Sequence, residues 1–256
     1  MKEFCIEERG TPFRILAYSR LLRALESIAP QLGKAQDIPG GEFSEIEACL
    51  NFIQFKGVID QSMKGRGGYR DSNGLTMPDD YVRLMLPGLI LYREESDRVF
   101  DIAPEFVIGC PWRGYTEPNN PYELMGRLNT SDLNSNEFAK YMQLGDLPVY
   151  IANEGKNRVE LFLKHNKKIR AEITPYLLRK DIKLFRGLQG ENWIASWFNE
   201  YGVQIGAAIP YPSVSVPIYR LCGTKITRER LFVPERKIAE SLNSTMKDLE
   251  CRVAIP

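Results

Sequence analysis

Residues 148–158 read PVYIANEGKNR, and residues 159–174 continue VELFLKHNKKIRAEIT. Val149-Tyr150-Ile151 is an apolar run of β-forming residues, which predicts a strand. A polar turn follows with one glycine, Gly155. Asn157-Arg158 then opens a stretch with Val159, Phe162 and Leu163 at i, i+3 and i+4, the spacing of one helical face. KIRAEIT returns to strand character. The segment therefore predicts a strand–helix–strand unit of about 25 residues, and with it a domain that mixes sheet and helix.

The turn itself is unusual in composition. Glu154, Gly155, Lys156, Asn157 and Arg158 stand together between strand and helix. A chain that turns into a helix leaves backbone N–H groups unpaired, and these attract anions. Gly155 lets backbone come close to a ligand. Arg158 can grip two phosphate oxygens, and Lys156 adds a second mobile charge. Glu154 can hold a metal ion, position water, or pair with the arginine. An ordinary strand–helix connection explains the same residues without a ligand, so both readings stand at this level.

The run VYIANEGKNRVELFLKHNKKIRAEIT resembles the core of the ParB/sulfiredoxin superfamily. There a strand enters a turn written roughly [DEG]GxxR, a helix follows, and a strand returns. Gly155 matches the family glycine, Arg158 the final arginine, and Glu154 the preceding acidic or glycine position. The resemblance covers residues 124–175. It implies an α+β fold, a ParB/sulfiredoxin-like mixed sheet with helices, and a bound nucleotide, ATP or CTP. Gly155, Lys156, Asn157 and Arg158 would then be its phosphate contacts, and Glu154 and Arg158 the catalytic pair. The sulfiredoxin cysteine would fall at Lys156, so sulfinic-acid reduction is not implied. No helix-turn-helix follows the turn, so centromere binding is not implied either. The branch it is most similar to is plasmid-borne, the fertility-inhibition proteins of the Osa type, which implies ATP hydrolysis, DNA cleavage and obstruction of conjugative transfer.

Composition narrows the classes. Net charge is +1, from 34 basic and 33 acidic residues, so binding of nucleic acid would require a local patch. Such a patch is expected at Lys164, Lys167, Lys168 and Arg170, continued by Arg179, Lys180, Lys183 and Arg186. A solvated helix end accounts for it equally well. The chain has one histidine, His165, which excludes a histidine-rich metal site. In KHNKK it reads as a solvated residue near a helix end. Without histidine, metal help would come through oxygen ligands, Glu154 first, which suits Mg2+ or Mn2+. The five cysteines are widely spaced with no CxxC, as in reduced cytosolic thiols. No apolar run reaches the length of a membrane span, and the N-terminus lacks a signal-peptide pattern, so a cytoplasmic protein is expected.

Along the rest of the chain, helices are expected from Thr11-Pro12 to about Leu32 and from Ser44 to about Gly57. KGRGGYRDSNG at 64–74 reads as a surface loop. LILYREESDRVFDIAPEFVIG reads as two strands around a charged turn, a hairpin. CPWRGYTEPNNPYE at 110–123 reads as a linker. An N-terminal accessory unit, 1–115, is thus expected before a domain at 124–256. Within the latter, LMGRLNTSDL reads as strand and turn, and NEFAKYMQLG as a helix capped by Ser135. GENWIASWFNEYG reads as a helix burying Trp193, Trp197 and Phe198, IPYPSVSVPIYRLCG as an edge strand, and PERKIAESLNSTMKDL as a closing helix. Two functional classes follow. One is an ATPase or metal-dependent DNA phosphodiesterase. The other is a non-catalytic factor that binds DNA or blocks a component of the conjugation machinery.

Overall fold

The computed structural model describes residues 44–63, 77–89, 92–93, 98–109, 117–155, 157–177, 181–187, 193–198, 201–202 and 204–231. The expected helices at 11–32 and 234–249 and the glycine-rich loop at 64–74 lie outside them. The chain is α+β, as expected, and its described residues form two compact units: those within 45–81 and 90–178, and those within 82–89 and 179–231 with residue 44.

The first unit is built on a six-stranded sheet. Its strands are β1 (Tyr92–Arg93), β2 (Arg98–Ile102), β3 (Val107–Ile108), β4 (Ala139–Leu144), β5 (Tyr150–Glu154) and β6 (Ile169–Leu177). β6 is flanked on one side by β1 and β2, end to end, and on the other by β4; β5 and then β3 follow. The hairpin expected from LILYREESDRVFDIAPEFVIG is therefore corrected: both strands pair with β6, not with each other. Strands expected in an accessory unit thus belong to the same sheet as the 148–174 segment. The strand–helix–strand order of that segment is present, as β5, α4 and β6 (α4 is Arg158–Lys164). The two strands are not neighbours, however. β4 lies between them, antiparallel to β5 and parallel to β6.

Two expected elements in this unit exchange type. LMGRLNTSDL begins inside helix α3 (Pro121–Thr130) rather than a strand. Asn120 is the reason: its side chain accepts from the Glu123 N–H and donates to the Glu123 carboxylate at 2.6 Å, and Pro121 sits at the first helical position. Pro121, read as part of a linker, is thus a helix start, while residues 110–116 lie outside the described residues. NEFAKYMQLG is strand β4 rather than a helix. Phe138, Tyr141 and Met142 fall at helical spacing, but with Ala139, Tyr141 and Leu144 buried the segment is the central strand between β5 and β6. Ser135 starts a turn there instead: its hydroxyl accepts from the Glu137 N–H at 3.0 Å.

Helices α3 and α4 cover one face of this sheet. Met125, Val159 and Phe162 pack with Ala139, Tyr141, Ala152, Ile169, Ala171 and Ile173 in one core. Leu163, expected on the buried face of α4, is 51% exposed, and Leu161 is buried in its place. The unit also holds α1 (Glu45–Met63), which starts directly after Ser44 and runs through Gly57. A mid-helix glycine costs about 1 kcal/mol. Burial of Phe52, Phe55 and Ile59 on both sides of it outweighs that. Lys56 and Asp60 sit one turn apart on the same buried stretch, 2.6 Å from each other.

Helix α2 (Pro78–Met85) has proline first, then Asp79 and Asp80 in its first turn. In the first unit its Tyr81 packs on Phe52 at 5.2 Å between centroids and donates to the Phe52 carbonyl at 2.5 Å.

The second unit carries β7 (Lys183–Gly187), β8 (Trp193–Phe198), β9 (Gln204–Ala208), α5 (Pro212–Leu221) and β10 (Lys225–Leu231), in sheet order β10-β7-β8-β9. β7, β8 and β9 form an antiparallel meander; α5 then carries the chain back to lay β10 parallel to β7. Here too two expectations are corrected. WIASWF is a strand, not a helix; it is central and buried on both faces, so it shows no polar alternation. Trp193 and Trp197 are buried as expected, whereas Phe198 is exposed. PSVSVPIYRL is a helix, not an edge strand. Pro212 sits in its first turn, where a missing N–H is harmless, and the buried Val214, Val216, Ile218 and Tyr219 outweigh Pro217.

Candidate functional site

The Gly155 turn is shaped by the strand before it. Lys140 opposes Glu154, but Tyr141 opposes Ala152, so Asn153 is one extra residue on β5. Such a bulge bends a strand and re-aims its side chains. Gly155 follows at φ +74°, a conformation that favours glycine. The Arg158 N–H donates to the Gly155 carbonyl at 3.1 Å, closing the turn. The arginine side chain then folds back over the glycine. A Cβ on Gly155 would lie 2.6 Å from Arg158 Nε, so it would displace the guanidinium, and φ by itself favours glycine here.

The guanidinium reaches across to the turn that precedes β4. Its Nη2 donates to the Glu137 carbonyl, tying the turn to the segment entering β4. Burial lowers the Arg158 pKa, while Tyr141, Glu137 and Glu154 each raise it. Nη1 is buried and has no hydrogen-bond partner. The same is true of the hydroxyl of Tyr141.

The remaining expected site residues fall into three groups. Glu154 and Asn157 are exposed beside Gly155. Asn157 precedes α4 but makes no side-chain cap, so the start of this seven-residue helix is not closed off by its own sequence. Lys156 lies outside the described residues. Among the described residues no group of three or more His, Cys, Asp or Glu is placed to hold a metal ion. Glu154 would thus bring a single carboxylate.

Lys164, Lys167, Lys168 and Arg170 are all exposed, and they gather at the other end of α4. The helix ends in a paired closure: Lys167 N–H donates to the Phe162 carbonyl at 3.0 Å and Asn166 N–H to the Leu163 carbonyl at 3.2 Å. Asn166 takes φ +50°, which asparagine tolerates. Asn129 of α3 then clamps the next stretch, donating to the Lys168 carbonyl and accepting from the Arg170 N–H, both at 3.0 Å. Lys167 and Lys168 therefore sit on a connection whose backbone is held by hydrogen bonds, with Lys164 ending α4 before it and Arg170 in β6 after it. Lys164 lies 4.0 Å from Glu160. Arg179 and Lys180 lie outside the described residues. Lys183 and Arg186 are exposed on the second unit.

His165 does end the helix, but it is not simply solvated. Its Nε2 lies 2.9 Å from the Glu117 carboxylate and its ring stands edge-on to Tyr122 at 5.1 Å. Cys49 is buried, with its thiol pushed up to about 11 by desolvation and by Glu45, which makes it a poor nucleophile.

Neither Glu137 nor Tyr141 was marked by the sequence. Glu137 acts through its carbonyl, which any residue supplies. Tyr141 is reached only once AKYMQL is placed beside β5. Among the described residues no helix is long and apolar enough to cross a membrane. Comparison of the chain with protein-family models, with characterised proteins and with solved structures returned no match.

Proposed function

We propose that the protein handles nucleotide or DNA phosphates on a ParB/sulfiredoxin-like domain, through the turn Gly155–Arg158. The observation that carries this reading is the turn itself. A glycine at φ +74° lies beneath a guanidinium with one hydrogen-bonding nitrogen still unused, flanked by exposed Glu154 and Asn157. A phosphate oxygen accepts from such a nitrogen more strongly than a carbonyl does. In this reading Lys156 and Arg158 stabilise charge that develops in phosphoryl transfer or phosphodiester cleavage. Glu154 orients water or gives one oxygen to Mg2+ or Mn2+, the phosphate and water supplying the others. The nucleotide is ATP or CTP, and the macromolecular partners are DNA and a component of the conjugation machinery.

Titration calorimetry of ATP and of CTP with magnesium tests this. The wild type is expected to bind one of them, and Arg158→Ala to lose about 100-fold in affinity, the loss typical of a hydrogen bond to a charged group. Arg158→Lys keeps the charge without the fork and is expected to recover only part. Unchanged affinity in both variants would remove the turn from phosphate binding.

A second reading, a non-catalytic DNA- or partner-binding factor, is favoured by the half-buried Arg158 with its tie to Glu137, which is also what a purely structural latch requires. Here the exposed Lys167 and Lys168 matter most. Lys167→Glu with Lys168→Glu is expected to weaken DNA binding irrespective of sequence and to flatten the salt dependence by about two in slope, one per lysine. A salt slope equal to wild type would show that DNA does not cross this connection. ATP turnover above background would favour the first reading over the second.

A further inference from the structure

Two buried polar atoms under the Gly155 turn have no hydrogen-bond partner. Tyr141 is 1% exposed and its hydroxyl has no partner; Arg158 Nη1 is buried and has none either. Buried polar groups in folded proteins are almost always paired, so two such atoms on adjoining elements call for an explanation. Their placement is set by the elements already described. Tyr141 is on β4 opposite Ala152, next to the bulge that precedes the turn. Arg158 spans from Gly155, after β5, to the Glu137 carbonyl, four residues before Tyr141. Both Tyr141 and the first turn of α4, through Val159, belong to the same core. The guanidinium and the hydroxyl act on each other electrostatically.

The geometry points to a two-donor seat, Tyr141 Oη and Arg158 Nη1, for one oxygen of a phosphate group. This rests on the phosphate-handling reading and adds to it a residue that the strand–turn–helix pattern does not contain. Arginine supplies the charge and the tyrosine a neutral, directional O–H. A tyrosine hydroxyl keeps its proton at neutral pH, and burial pushes the Tyr141 pKa further up. Both atoms are shielded from solvent, so the oxygen enters as Arg158 lifts from Gly155. The side-chain hydrogen bond that this breaks, among the described residues, is to the Glu137 carbonyl. Exchanging a neutral carbonyl for an anionic oxygen strengthens the bond the guanidinium makes.

Tyr141→Phe tests the seat in the full chain, because it removes only the hydroxyl and keeps the ring in the core. The probes are inorganic phosphate and ATP, titrated by calorimetry into wild type and variant, with urea denaturation of both in phosphate-free buffer. The expected result is phosphate binding by the wild type, ten- to hundredfold weaker in Tyr141→Phe, with an unliganded denaturation midpoint that is unchanged or higher. The midpoint does not fall because the hydroxyl has no protein partner to lose. Equal phosphate affinity in the two proteins would overturn the proposal. So would a lower midpoint in the variant, which would mean that the hydroxyl serves the fold through a bound solvent molecule. Absence of phosphate binding by the wild type would overturn it too. The two readings fail separately. ATP binding lost in Arg158→Ala but untouched by Tyr141→Phe would leave the turn as a phosphate contact and eliminate the seat. Phosphate binding that depends on Tyr141, with no affinity for ATP or CTP, would keep the seat and remove the nucleotide.

Discussion

Replacing Asp60 by alanine is expected to destabilise the protein by about 3–5 kcal/mol, the range found when one member of a buried ion pair is removed. Lys56 and Asp60 are 2.6 Å apart on α1, and their side chains are only 6% and 9% exposed. The ammonium gave up its water on folding, and Asp60 is the anion that compensates it. Without Asp60 the charge stays buried and unpaired. Asp60 also borders Tyr81, whose pKa is raised first by burial and then by that carboxylate. The control is the double replacement Lys56→Met with Asp60→Leu. It removes both charges, keeps most of the volume, and is expected to be near neutral, because desolvation roughly cancels attraction in such pairs. Urea denaturation of the two variants measures the difference. If Asp60→Ala moves stability by less than about 1 kcal/mol, the pair behaves as a surface pair and contributes little.

Gly88→Ala is expected to cost about 2–5 kcal/mol, in the second unit. Two effects add. Gly88 is at φ +82°, where an L side chain costs about 1–2 kcal/mol. A Cβ there would also lie 2.4 Å from Cε3 of Trp197 and 2.5 Å from its Cζ3. Trp197 is on the central strand β8 and buried, so its ring has little room to withdraw, and overpacking of this kind costs about 1–3 kcal/mol. The turn is held from the other side by the Tyr219 hydroxyl, which donates to the Pro87 carbonyl at 2.5 Å. Gly223→Ala separates the two effects. Gly223 has φ +76° with nothing within 4 Å of an added Cβ, so only the backbone cost is expected there. Equal losses at the two positions would mean that the Trp197 ring yields.

The α+β class and the alternation of β5, α4 and β6 were legible in PVYIANEGKNRVELFLKHNKKIRAEIT because each signal there is local. Val149 to Ile151 favour extended backbone, Gly155 takes the positive φ, and Val159 with Phe162 marks a helical face. The exposed cations at Lys164, Lys167, Lys168 and Arg170 were legible for the same reason.

What the sequence left undecided depends on neighbours distant along the chain. FAKYMQL and WIASWF carry aromatic residues at intervals that suit either a helix or a strand. They are strands because β4 finds partners on both sides, β5 and β6, and β8 likewise finds β7 and β9. PSVSVPIYRL is a helix because an apolar face is buried, against the preference of its prolines. PNNPYE has the composition of a joint, but Asn120 caps the helix that Pro121 begins. β1 and β2 joined β6 because pairing is chosen by the whole sheet, not by the nearest strand.

The turn divides along the same line. By itself the sequence determined a glycine, an arginine three residues on, and a helix after them. Only the tertiary structure brought Glu137 and Tyr141 to that arginine. Burial is the physical reason. A guanidinium in water needs no particular partner, but one drawn against a sheet takes whichever carbonyl the neighbouring segment presents.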